Sequence, residues 1–109
     1  MSYKIFITEY AKGQMKMIID YITYNLLNPT AANKLADNII DRIDKLTQYP
    51  RIYPVVEKET IQGYETRRII IGSFYVYYWI LEEQKEIYVS AVTYGKRDQC
   101  KQLLKMKKT

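Results

Sequence analysis

The side chains able to do chemistry in this 109-residue chain gather in three short stretches: Glu57-Lys58-Glu59, the pair Arg67-Arg68, and Tyr94-Gly95-Lys96-Arg97. There is no histidine, so any proton transfer must run through Lys, Arg, Tyr, Asp, Glu or water. Cys100 is the single cysteine, which rules out an internal disulfide and a cysteine-based zinc site. No metal and no cofactor is expected. Each stretch sets positive charge beside a carboxylate or a phenol or doubles it, and the charge distribution strengthens that theme. Residues 1–95 carry eleven basic and eleven acidic side chains, whereas residues 96–109 carry six basic ones against Asp98 alone, so the whole net charge of +5 sits in the last segment. A basic end attracts phosphates or an acidic partner; the plainer alternative is a solvated tail that keeps the protein soluble.

These residues need elements to position them. Residues 3–7 read as a short strand. A helix follows from Thr8, a plausible N-cap, or Glu9, with Ala11, Met15, Ile18, Ile19, Ile22 and Leu26 on one face. Asn28-Pro29 ends it and starts a second helix, because Asn caps well and Pro suits the first helical position. Ala32, Leu35, Ala36, Ile39, Ile43 and Leu46 form the buried stripe of that helix, which Tyr49-Pro50 stops. So short a connection predicts an antiparallel helical hairpin. Residues 50–64 read as loop, with an extended piece near Val55-Val56, and strands are expected over 65–71, 74–82 and 86–93. Gly72-Ser73 fits a tight hairpin turn, and Glu83-Gln84-Lys85 the next one. A short basic helix from Lys96 to Lys105 closes the chain.

The expected class is therefore α+β. An N-terminal strand and a C-terminal three-strand antiparallel meander make one sheet, the helical hairpin packs on one face of it, and a short C-terminal helix follows, all in a single domain over 1–109 with a basic tail from about 96. At 48% hydrophobic the chain should fold, and its longest apolar run, Phe74 to Leu81, is too short to cross a bilayer as a helix. A soluble protein of the reducing cytoplasm, away from membranes, is expected. The run Arg67–Ile80 (RRIIIGSFYVYYWI) does not alternate as a half-buried strand should, so the face turned from the helices needs a cover: the last helix, a partner or a substrate.

The order of elements, Leu46-x-x-x-Pro50, the segment GYETRRI at Gly63–Ile69, the VYYWI strand, and TYGKRD at Thr93–Asp98 together resemble the RelE/ParE toxins of bacterial type II toxin–antitoxin systems over nearly the whole chain. The resemblance implies a cytoplasmic toxin held inactive by a cognate acidic antitoxin. RelE-like members cut messenger RNA in the ribosome; ParE-like members poison DNA gyrase, and the fold does not separate them.

The function expected first is a metal-independent endoribonuclease that cuts messenger RNA on the ribosome: attack by the 2′-hydroxyl on the adjacent phosphate needs a base, cations and an acid, and no metal. Without histidine, a phenol or ammonium must serve, with its pKa lowered by clustered positive charge. Arg68 aligns with the family arginine that contacts the scissile phosphate. Its neighbour Arg67 must point to the other strand face and is either a secondary substrate contact or an edge salt bridge to Glu65 or Glu59. Tyr94, Lys96 and Arg97 are the companions expected to supply proton transfer and charge, or else are packed strand and exposed helix-start residues. The catalytic glutamate that YoeB-like members carry in this loop aligns with Val55, and Glu57, two residues on, is a candidate base; Lys58 and Lys101 are candidate substrate contacts. On this reading Arg68 and the cations at 96 and 97 converge on one pocket. The alternatives are a gyrase poison with no chemistry of its own, or a relative that binds antitoxin but has lost activity.

Overall fold

The computed structural model describes residues 2–57 and 64–95. Strand β1 (Lys4–Ile7) leads into helix α1 (Glu9–Asp20), which Thr8 caps by accepting a hydrogen bond from the Ala11 amide at 3.1 Å. One wide π-helical turn, Tyr21–Asn25, extends α1, and Leu27 reverses the chain at φ +51. Helix α2 (Pro29–Asp44) begins as the sequence predicts: the Asn28 side chain accepts from the Ala31 amide at 3.1 Å and Pro29 fills the first turn. A 3₁₀ turn, Lys45–Thr47, finishes it before Pro50.

Four further strands follow: β2 (Val55–Glu57), β3 (Thr66–Ile71), β4 (Phe74–Leu81) and β5 (Glu86–Tyr94). The sheet order is β1-β5-β4-β3-β2, with β1 parallel to β5 and every other pair antiparallel. The meander is as expected, and the extended piece near Val55 proves to be a fifth, edge strand. Gly72 takes φ +58 in the two-residue turn joining β3 to β4. The next turn has four residues rather than the expected three, Glu82 to Lys85, with Lys85 at φ +55. The basic helix expected after residue 95 lies outside the described residues.

Both helices pack on one sheet face, where Ala11, Leu35, Ile39 and Ile43 meet Ile69, Val76, Tyr78, Ile87, Val89 and Val92. The α+β layering is thus observed. The opposite face corrects an expectation: Tyr77 and Trp79 on β4 are buried, and Tyr10, Val56, Tyr64, Tyr75 and Tyr88 of the same chain pack against them. The Trp79 indole N–H donates to the Thr66 hydroxyl at 3.1 Å, and Tyr64 lies 5.6 Å from the Trp79 ring. Burying an aromatic side chain of this size stabilises by about 1.5–3 kcal/mol. The non-alternating strand therefore reflects a second small core, and a partner or substrate is not needed to cover that part of the face.

A bulge in β5 sets the register next to this core. Tyr77 pairs with Ala91 but Tyr78 pairs with Val89, which leaves Ser90 as the extra residue. The Thr8 hydroxyl donates to the Ser90 carbonyl oxygen at 3.4 Å, and Gln14 Oε1 accepts the Val92 amide at 2.7 Å. The start of α1 is thereby tied to the sheet beside the irregular pair.

Candidate functional site

Strand β3 separates the two adjacent arginines, as alternation requires. Arg67 pairs with Tyr78 and turns to the helix side. Its guanidinium donates to the carbonyl oxygens of Tyr53 at 2.6 Å and Arg51 at 3.3 Å and contacts Glu65 at 3.3 Å, leaving the side chain 12% exposed. The Tyr78 hydroxyl, from the same face, donates to the Pro50 carbonyl oxygen at 2.7 Å. Arg67 and Tyr78 thus hold the segment between α2 and β2 on the sheet. The alternative of a salt bridge to Glu65 is the contact observed, and the side chain is engaged in structure.

Arg68 turns to the other face. Its guanidinium carbon lies 4.4 Å above the centroid of the Tyr75 ring, within cation–π range. Tyr77 is its direct cross-strand neighbour, and Thr93 pairs with Tyr75 on the next strand. The Tyr75 and Tyr77 rings meet edge to face at 6.3 Å. The Tyr77 hydroxyl is buried; Arg68 and Thr93 lie beside it, but it makes no hydrogen bond of ordinary geometry among the described residues. Burial pushes its pKa upward, and the neighbouring Arg68 charge offsets this only in part. Gly95 closes the group: a Cβ there would lie 2.6 Å from Tyr75 Cζ, so only glycine admits the ring without displacement. Its amide donates to the Ser73 carbonyl oxygen at 2.7 Å.

Tyr94 is not part of this group. It pairs with Phe74, its ring lies 5.7 Å from the Phe74 ring, and Phe74 packs on the helix-side core. Tyr94 and Arg68 therefore occupy opposite faces of the sheet, and the structure does not bring them to one pocket. Glu57 takes part in β2, its backbone opposite Thr66. Lys58, Lys96, Arg97 and Lys101 lie outside the described residues. The neighbours of Arg68 were legible in part: a two-residue turn at Gly72-Ser73 makes Ile71 face Phe74, and counting back puts Arg68 opposite Tyr77. Nothing local in the sequence signals that Tyr75 would lie against Gly95.

Residues 5–99 match the family model described as ParE toxin of type II toxin–antitoxin system, parDE. No curated protein matches the chain by sequence. Among solved structures, the chromosomal ParDE toxin–antitoxin system of P. aeruginosa is similar at TM-score 0.65 and 18% identity, over 85% of this chain and 96% of that one. A mutant of the E. coli toxin RelE in the free state is similar at TM-score 0.59 and 17% identity, over 95% of each chain. At those identities the two structures speak for the fold alone. The family match spans most of the chain, from β1 to beyond β5, and on that ground the chain belongs to the ParE toxin family of type II toxin–antitoxin systems.

Proposed function

We propose that this toxin works by binding, as a gyrase poison, and that it does not cut RNA. Its target surface is Arg68 together with the basic segment that begins at Lys96, with Arg97 and Lys101 as further contacts. Family membership implies a cognate antitoxin that restrains it. The observation that carries the reading is the separation of Arg68 and Tyr94 on opposite faces of the sheet. A ribonuclease without histidine needs a phenol or an ammonium whose pKa falls toward neutrality, and among the described residues burial pushes the phenol beside Arg68, that of Tyr77, the other way. Tyr94, the other phenol expected to take part, lies on the opposite sheet face. An arginine with no matched acid beside it among the described residues, in a chain whose net positive charge is concentrated after residue 95, suits electrostatic capture of an anionic target, such as DNA held by gyrase, better than proton transfer.

The test is expression of the chain in a bacterial host with parallel readouts of DNA damage and transcript integrity, beside a supercoiling assay with purified gyrase. The expected result is DNA damage with intact transcripts, inhibition of supercoiling, and a large but still measurable weakening of both effects in Arg68→Ala. Transcripts cut to 2′,3′-cyclic phosphate ends before any DNA damage would overturn the reading in favour of ribosome-dependent cleavage. Harmless expression of folded protein would point to a relative that keeps only antitoxin binding.

A further inference from the structure

We propose that Tyr75 is a positioning residue: its ring, seated against Gly95, holds the Arg68 guanidinium in the pose in which it meets the target. The inference rests on the reading of Arg68 as a target contact. An arginine side chain is long and rotamer-rich, and fixing it only on contact with a partner weakens binding. Here the guanidinium is already placed, 4.4 Å above the Tyr75 ring. The ring in turn is bounded by the Tyr77 ring, edge to face at 6.3 Å, and by the Gly95 backbone, which comes so close that a methyl group at 95 would sit 2.6 Å from Cζ, while Thr93 is its backbone partner on β5. Gly95 is itself pinned by its amide hydrogen bond to the Ser73 carbonyl oxygen at 2.7 Å. The turn at 72–73, the end of β5 and the Arg68 guanidinium are thereby linked through one aromatic ring. Gly95 is also the residue directly before Lys96 and Arg97, so the ring touches the chain where the basic segment starts.

The ring face does this work and the Tyr75 hydroxyl is dispensable for it. The experiment measures inhibition of gyrase supercoiling by purified protein, with thermal melting on each variant, for Arg68→Ala, Tyr75→Leu, Tyr75→Phe, Gly95→Ala and the double variant Tyr75→Leu/Arg68→Ala. Tyr75→Leu is expected to raise the inhibitory concentration about threefold to thirtyfold, the range of a cation–π contact. Tyr75→Phe, which keeps the ring face, is expected to restore most of that loss. Gly95→Ala, which keeps both side chains but displaces the ring, should lose activity as Tyr75→Leu does. The double variant should be no weaker than Arg68→Ala alone, because Tyr75 acts through Arg68. If Tyr75→Leu does not fold, Gly95→Ala and Tyr75→Phe still decide. Full activity in Gly95→Ala, full loss in Tyr75→Phe, or losses that multiply in the double variant would each overturn the inference while leaving the role of Arg68 intact. Full activity in Arg68→Ala would overturn both.

Discussion

Arg67 and Arg68 are consecutive in the chain and serve opposite faces of one sheet: Arg67 donates to the Tyr53 carbonyl oxygen at 2.6 Å on the helix side, and Arg68 rests on the Tyr75 ring on the other. One arginine ties the segment before β2 to the sheet, and the other lies over an aromatic ring on the opposite face. The difference predicts separable phenotypes.

Arg67→Ala should lower stability by about 1.5–3 kcal/mol, since it removes charge-assisted hydrogen bonds, the one to the Tyr53 carbonyl oxygen part-buried. Urea unfolding measures this. Toxicity should fall only as far as the amount of folded protein falls. Arg68→Ala, which removes the cation–π contact with Tyr75, should cost about 0.5–2 kcal/mol in the same assay and yet lower toxicity far more than Arg67→Ala does.

Burial raises the pKa of both Tyr77 and Tyr78 above the ordinary phenol value. Their folded-state pKa values exceed the unfolded value of about 10, so their contribution is complete below about pH 10 and is lost as pH rises beyond it. Unfolding midpoints followed from pH 8 to 11 should drop steeply at the top of that range. In Tyr78→Phe the drop should be shallower, while stability at neutral pH falls by about 1–3 kcal/mol because the Pro50 carbonyl oxygen loses its donor.

Glu82 sits among Lys85, Tyr3 at 2.8 Å and Arg51 at 2.9 Å, and these partners hold its pKa down to about 2. A depressed carboxylate stabilises above its unfolded pKa and stops doing so as pH falls through the folded value. Stability should therefore decline between about pH 4.5 and pH 2, and Glu82→Gln should flatten that part of the profile. A Glu82→Gln protein as acid-sensitive as the parent between those values would refute the assignment.

Gln14 Oε1 accepts the Val92 amide beside the Ser90 bulge. Gln14→Leu keeps the size of the side chain and removes the acceptor, so about 1–3 kcal/mol of stability should be lost. Hydrogen exchange should show the Val92 amide among the amides most deprotected.

How much of this was readable in advance can be judged element by element. Thr8 as a cap, Asn28-Pro29 between the helices, Gly72 in the tight turn and the stripe from Ala32 to Leu46 were all visible, because each depends on backbone preference or on a periodicity contained within one segment. The separation of Arg67 from Arg68 was visible for the same reason. Around Arg68 only the cross-strand position of Tyr77 follows from the turn, and the seat of the Tyr75 ring against Gly95 was not visible. Tyr94 looked like its companion because it stands near two cations in the chain, but the β4–β5 register turns it to the Phe74 side.

The sequence by itself determined the class of fold, the order of its elements, the faces of its strands and the concentration of positive charge after residue 95. Only the tertiary structure decided which phenol accompanies Arg68, that Arg67 belongs to the loop before β2, and that Tyr77 and Trp79 are covered by their own chain. The reason is physical: alternation and capping act over a few residues, whereas the ring of Tyr75 meets Arg68 and Gly95 only once three strands have paired in one register with Ser90 bulged out between them.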